Sequence, residues 1–206
     1  MDSYLNKVSK LINNFQSSQL VMLNVTTCEK VFPIYSLFSE YESWGKKEFF
    51  EDALLLQYQF LQNLPISQSE IQRTLTEIET YSPDLDSFDN GLASYALDAC
   101  IIFIESLTFL QTKDVNSAIN IVSSSRDLVD MFIQEKNDFS SNDSLLELKI
   151  QSDIFMQREM DRCFNLILKI GNLKNIFLKD IDEIRTFNFQ FGEIADVATL
   201  TKLYLE

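Results

Sequence analysis

Residues 94–110, SYALDACIIFIESLTFL, restrict the fold more than any other stretch of the chain. The segment is apolar almost all round, and its only charges are Asp98 and Glu105. A helix that is hydrophobic on every side must be buried by its neighbours. Its apolar run falls short of the roughly 18 residues expected of a membrane span. The remaining segments read as amphipathic helices able to wrap such a rod.

Those segments follow the i, i+3, i+4, i+7 rule. Residues 3–24 carry Tyr4, Leu5, Val8, Leu11, Ile12, Phe15, Leu20 and Leu23, with Ser17-Ser18 as an end or a joint. Val31, Phe32, Tyr35, Phe38 and Tyr41 form a stripe containing Pro33, so a helix is expected to begin or bend there. A helix follows over about 46–63. Ser67 and Glu70 supply a capping box for the next, which runs to about Tyr81. Asp114 is placed to cap a helix over 115–137, and one long helix is expected over 144–173. In the tail, Phe187, Phe189 and Phe191 alternate with polar residues, which predicts an extended segment before a helix over 193–203.

Only four Gly and three Pro are present, too little turn chemistry for an all-β chain of 206 residues. The expectation is therefore one all-α domain over 1–206, a multi-helix bundle around residues 94–110 with a short C-terminal extension. Three widely spaced cysteines, Cys28, Cys100 and Cys163, read as buried free thiols in a reducing compartment. The N-terminus lacks a cationic region followed by an apolar run, so no secretory signal is read there and a cytoplasmic location is expected.

The net charge of −14 repels phosphate backbones and anionic lipid, so neither nucleic acid nor membrane is expected as a partner. It suits a basic protein. The chain contains no His. That removes Ser-His-Asp and Cys-His nucleophile pairs, imidazole zinc sites and the Glu-x-x-His helices of di-iron bundles. No Cys-x-x-Cys or glycine-rich phosphate motif is present, and no cofactor is expected. The acidic loop 82–91 departs from the calcium-loop pattern. Counting from Asp84, Phe88 takes the fifth position, Asp89 the sixth and Tyr95 the twelfth. Asp84, Asp86 and Asp89 therefore read as turn and helix-start residues.

Two polar groupings are candidates for function. Asp98 and Glu105 lie seven residues apart, on one face of the central helix. They form either a carboxylate pair with raised pKa or a bound cation, or else structural acids paired with neighbouring bases. Arg158 and Arg162 are available as those bases, or as a solvated face. Glu29 and Lys30 precede Pro33 and form the second grouping.

The run Cys28-Glu29-Lys30-Val31-Phe32-Pro33-Ile34-Tyr35, with Phe38 beyond it, resembles the Cys-Glu-Arg-aromatic-Pro-x-Tyr segment of the YjaG-like bacterial proteins. That is a domain-of-unknown-function family. Asp98-Ala99-Cys100, with Tyr95 before and Glu105 after, resembles its second signature. The likeness spans about 5–173, and residues 174–206 stand as a family-divergent extension. It implies a small all-helical bacterial cytosolic protein with no assigned activity. It adds no catalytic role, and Glu29, Lys30, Tyr35, Asp98 and Glu105 stand as a candidate polar cluster, functional or structural. Lys30 stands where the pattern has Arg, which loses the planar bidentate fork.

Three functional readings follow. The first is a non-enzymatic interaction module that binds a protein partner or a second copy of itself. The second is an acidic immunity-type inhibitor of a basic toxin domain, working by charge complementarity. The third is a carboxylate-based enzyme or cation-binding protein using Asp98 and Glu105.

Overall fold

The structure, a computed structural model, describes residues 3–205. These form ten α-helices and no strand. In chain order they are α1 (Ser3–Ile12), α2 (Ser17–Glu42), α3 (Glu48–Leu61), α4 (Gln68–Thr80), α5 (Leu92–Thr112), α6 (Val115–Lys136), α7 (Leu146–Ser152), α8 (Ile154–Gly171), α9 (Leu178–Phe189) and α10 (Val197–Tyr204). A single 3₁₀ turn, Leu85–Ser87, lies in the acidic loop.

The central rod is α5, which packs on α2, α3, α4 and α6. Ala93, Ala96, Ala99 and Cys100 are fully buried on it and allow close helix approach, while Phe103, Leu107 and Phe109 fill the gaps between neighbours. Each such large apolar side chain contributes about 2–3 kcal/mol on burial. By length and composition α5 does meet the test for a membrane span, contrary to the sequence expectation, but 61% of that window is buried inside the bundle.

Packed against α5 is α2, a 26-residue helix that continues through Pro33. The helix does not begin at this proline. Proline has no N–H to give to the Glu29 carbonyl, a loss of about 3 kcal/mol in an isolated helix. Packing of α2 on α3, α5 and α6 outweighs it. Beyond Pro33 the side chains build an aromatic cluster. Phe50 meets Phe103 edge-on at 5.0 Å, Phe38 meets Phe88 at 5.0 Å, and Trp44 meets Phe88 at 5.3 Å. At the end of α2, Gly45 has φ +82°, and a Cβ there would run into the Tyr35 hydroxyl. Glycine satisfies both demands.

Capping follows the sequence in two places. Ser67 Oγ accepts the Glu70 N–H at 3.1 Å, and Asp114 Oδ1 accepts the Asn116 N–H at 3.0 Å. Elsewhere three boundaries move. The first amphipathic stretch breaks at 13–16, ahead of Ser17, so α1 and α2 are separate. The long helix expected over 144–173 divides at Asp153, whose carboxylate accepts the Phe155 N–H at 2.8 Å and opens α8. The Phe187–Phe189 stretch is the last turn of α9, not an extended segment. Phe187 turns onto Phe191 at 5.3 Å, so the alternation reflects a helix end followed by a turn. The tail is fastened by Glu135, whose Oε2 accepts from Tyr95 of α5 at 2.6 Å and also from Tyr204 of α10.

Candidate functional site

The structure separates the five residues that the sequence grouped. Asp98 and Glu105 share a face of α5, as their spacing requires. Glu105 accepts from Asn120 Nδ2 at 3.0 Å, on α6. Burial, and then the charge of Asp127, push the Asp98 carboxyl up to about 6. Neither acid is answered by Arg158 or Arg162, which belong to a different seam. Tyr35 lies on the aromatic side of α2 and donates to the Tyr81 carbonyl at 3.2 Å. Glu29 is buried against Arg185 of α9, whose Nε donates to Oε1 at 2.8 Å. Lys30 points into the seam between α2, α8 and the turn after α9.

That seam holds the densest polar network of the fold. Arg162 is neither solvated nor on the surface: it is 3% exposed, and Glu159, one turn earlier on α8, is 4% exposed. The two form a fork, with Nε to Oε2 and Nη2 to Oε1 both at 2.6 Å. Buried charges need such partners, and the remaining polar atoms here find theirs. Ser125 of α6 donates to Glu159 Oε1 at 3.0 Å. Arg162 Nη1 donates to Asn188 Oδ1 at 3.1 Å, and Nη2 to Thr27 Oγ1 at 3.4 Å. Asn188 in turn donates to the Thr26 carbonyl at 2.9 Å. One ion pair therefore ties α2, α6, α8 and α9 together. Burial works to lower the Arg162 pKa, and the charge and hydrogen bonds of Glu159 more than reverse it.

Lys30 and Arg158 lie at the edge of this network. Lys30 Nζ donates to the Gly192 carbonyl, and Arg158 Nη2 to the Glu193 carbonyl. Burial, and then the charge of Arg162, lower the Lys30 pKa to about 8.

The three cysteines are buried free thiols. Burial pushes Cys28 and Cys100 up to about 12 and Cys163 to about 11, so none is a thiolate at neutral pH. Among the described residues no group of three or more Asp, Glu or Cys side chains is arranged to hold a metal ion.

A second feature is apolar. A groove of about 550 Å³ runs between the end of α3 and the start of α9. Leu64, Phe177 and Leu178 line it and are 49%, 61% and 63% exposed. The geometry at Phe177 is fixed, because its N–H donates to Asp180 Oδ2 at 2.9 Å as α9 begins. The seam residues Ser125, Glu159, Asn188 and Thr27 were invisible to the sequence reading. They are common helix residues whose burial depends on tertiary packing.

Comparison with known proteins agrees with this fold. A crystal structure of a DUF416 family protein from Shewanella baltica OS155 superposes with a TM-score of 0.79 at 22% identity. The match covers 93% of this chain and 95% of that one. Among curated proteins nothing matches the chain. The family model described as protein of unknown function (DUF416) matches residues 7–193, reaching through α9 into the stretch expected to diverge. The chain belongs to the DUF416 family.

Proposed function

We propose that this protein is a non-enzymatic binding module, whose partner is a basic protein that inserts an apolar anchor between α3 and α9. The observation that carries this reading is the groove itself. Three large apolar side chains stand more than 40% exposed around one concavity, where isolated exposed residues would carry no such meaning. The net charge of −14 supplies the second argument. It accelerates encounter with a basic surface and opposes association of two copies of this chain. A different, basic partner is therefore favoured over a homodimer. An immunity-type inhibitor of a basic toxin domain is one form of this reading. The enzymatic alternative finds less support, because Asp98 and Glu105 engage different neighbours and the thiols are held protonated.

The test is paired affinity capture, using the wild-type protein and the Phe177→Ser/Leu178→Ser variant as baits. Both substituted side chains are exposed, so the fold should survive the change. A basic protein retained by wild type and lost by the variant would support the proposal. Equal recovery of every captured protein by both baits would refute the groove as the docking surface. A stable dimer by light scattering at micromolar concentration would refute the preference for a different partner.

A further inference from the structure

We infer that α9 is a hinged strap that lifts from the bundle as a unit, and that its docking makes the groove it shares with α3. Residues 174–193 are the moving part, and both ends of that stretch are fixed. On one side Gln19 of α2 is buried, and its amide donates to the carbonyls of Ile170 at 3.2 Å and Leu173 at 2.9 Å. That pins the end of α8, and the chain bends at 174–175 immediately beyond it. On the other side Ile194, Ala195 and Leu200 are buried, and Tyr204 donates to Glu135.

Polar contacts hold most of what lies between. Helix α9 packs on α2 and α8. Its buried apolar side chains are Ile181 and Ile184, with Ile176 just ahead of it, and Phe187 is half-buried. The other attachments are hydrogen bonds. Arg185 Nε donates to Glu29 Oε1 at 2.8 Å. Asn188 accepts from Arg162 at 3.1 Å and donates to the Thr26 carbonyl at 2.9 Å. Lys30 and Arg158 donate to the carbonyls of Gly192 and Glu193. Water can replace each of these bonds, so each adds little net hold, whereas buried apolar surface has no such substitute. The buried ion pair of the seam does not resist the movement. Glu159 and Arg162 both belong to α8, so they stay paired when α9 leaves and regain hydration. A segment attached in this way opens cooperatively at a lower free energy than the whole fold.

The opening reaches the groove. Phe177 and Leu178 stand at the start of α9, so lifting it carries them away from Leu64 and dismantles the concavity. An occupant of the groove would therefore bind only the docked form and hold the strap shut. This consequence rests on the binding reading above, whereas the opening itself does not.

The test is native-state hydrogen exchange on the full-length protein without any partner, read amide by amide by nuclear magnetic resonance at low urea concentrations. The α9 amides of Ile184, Arg185 and Phe187 should exchange at least about a hundredfold faster than those of Ala99, Phe103 and Leu107 in α5. Their rates should rise together with urea, as a cooperative opening requires. Asn188→Ala should speed the α9 amides by about tenfold, because it removes a bond to a charged group and a bond to a carbonyl. Ile78→Val is the discriminating variant, since Ile78 is fully buried on α4, which packs on α3 and α5. It should speed the α5 amides by about two- to tenfold and leave the α9 amides unchanged. Equal acceleration of α5 and α9 by Ile78→Val would show that α9 opens only with the whole fold, and would overturn the inference. Rates along α9 that are graded from its ends and insensitive to urea would reduce the opening to fraying, and would overturn it as well.

Discussion

Replacing Arg162 by Met would leave the Glu159 carboxylate 4% exposed, with the Ser125 hydroxyl as its remaining donor. It would also strip Asn188 and Thr27 of a partner. Removing one member of a buried, hydrogen-bonded ion pair costs about 3–5 kcal/mol, mostly as the penalty on the charge left behind. For a chain of this length that is a fall in Tm of roughly 10 °C, or roughly 1–2 M in the urea midpoint. The double variant Glu159→Leu/Arg162→Met removes both charges and fills the space with apolar atoms. Its cost should be no more than about half that of Arg162→Met alone. The exposed pair Lys47–Glu40, at 3.2 Å, is the internal control, and Lys47→Ala should cost less than about 1 kcal/mol. Urea unfolding followed by circular dichroism measures all four proteins. A cost below about 1 kcal/mol for Arg162→Met, or a double variant no more stable than Arg162→Met, would refute the assignment of this pair as the tie between four helices.

Three further outcomes are expected. Asp98 has a folded pKa raised from 3.8 to about 6, so its contribution to stability is full below about pH 4 and is lost as pH rises through 6. Asp98→Asn should remove that loss and gain about 1–2 kcal/mol at pH 7, discounted for partial exposure, with no gain at pH 4; an equal effect at both pH values in urea melts would contradict it. Asn24 is 1% exposed with neither amide atom hydrogen-bonded, so Asn24→Leu should raise stability by about 1–3 kcal/mol, and calorimetry showing a clear loss would mean that the amide is satisfied. Asp153→Ala removes the cap that opens α8 and should cost about 1 kcal/mol in thermal melts, whereas no change would deny the cap a role.

The parts of the fold legible in the sequence are those written locally. The largely apolar run at 94–110 announced α5, and Ser67 and Asp114 announced the starts of α4 and α6 through their caps. Asp153 carries the same signal, but it sits within an apolar pattern continuous enough to read as one helix. Pro33 left a helix start or a bend open, and the start is excluded because its local penalty is outweighed by packing that no local rule contains. The Phe187–Phe191 alternation is ambiguous between a strand and a helix that ends in a turn, and the Phe191–Phe187 contact decides it. The polar seam was illegible in another sense. Glu159 and Arg162, three residues apart, look like any surface pair on a helix. Only the arrival of α2, α6 and α9 around them makes the pair buried. Asn188, Ser125 and Thr27 give no signal in a single sequence, since nothing distinguishes a buried amide or hydroxyl from an exposed one before packing is known.

The most direct test of the binding reading is the affinity of the captured basic partner for the wild-type protein and for Phe177→Ser/Leu178→Ser, measured side by side by calorimetry at low and high salt. Loss of two buried apolar anchors should weaken binding by at least about tenfold at either salt concentration, while added salt weakens both proteins alike by screening the net charge. Equal affinities for the two proteins would contradict docking in the groove between α3 and α9.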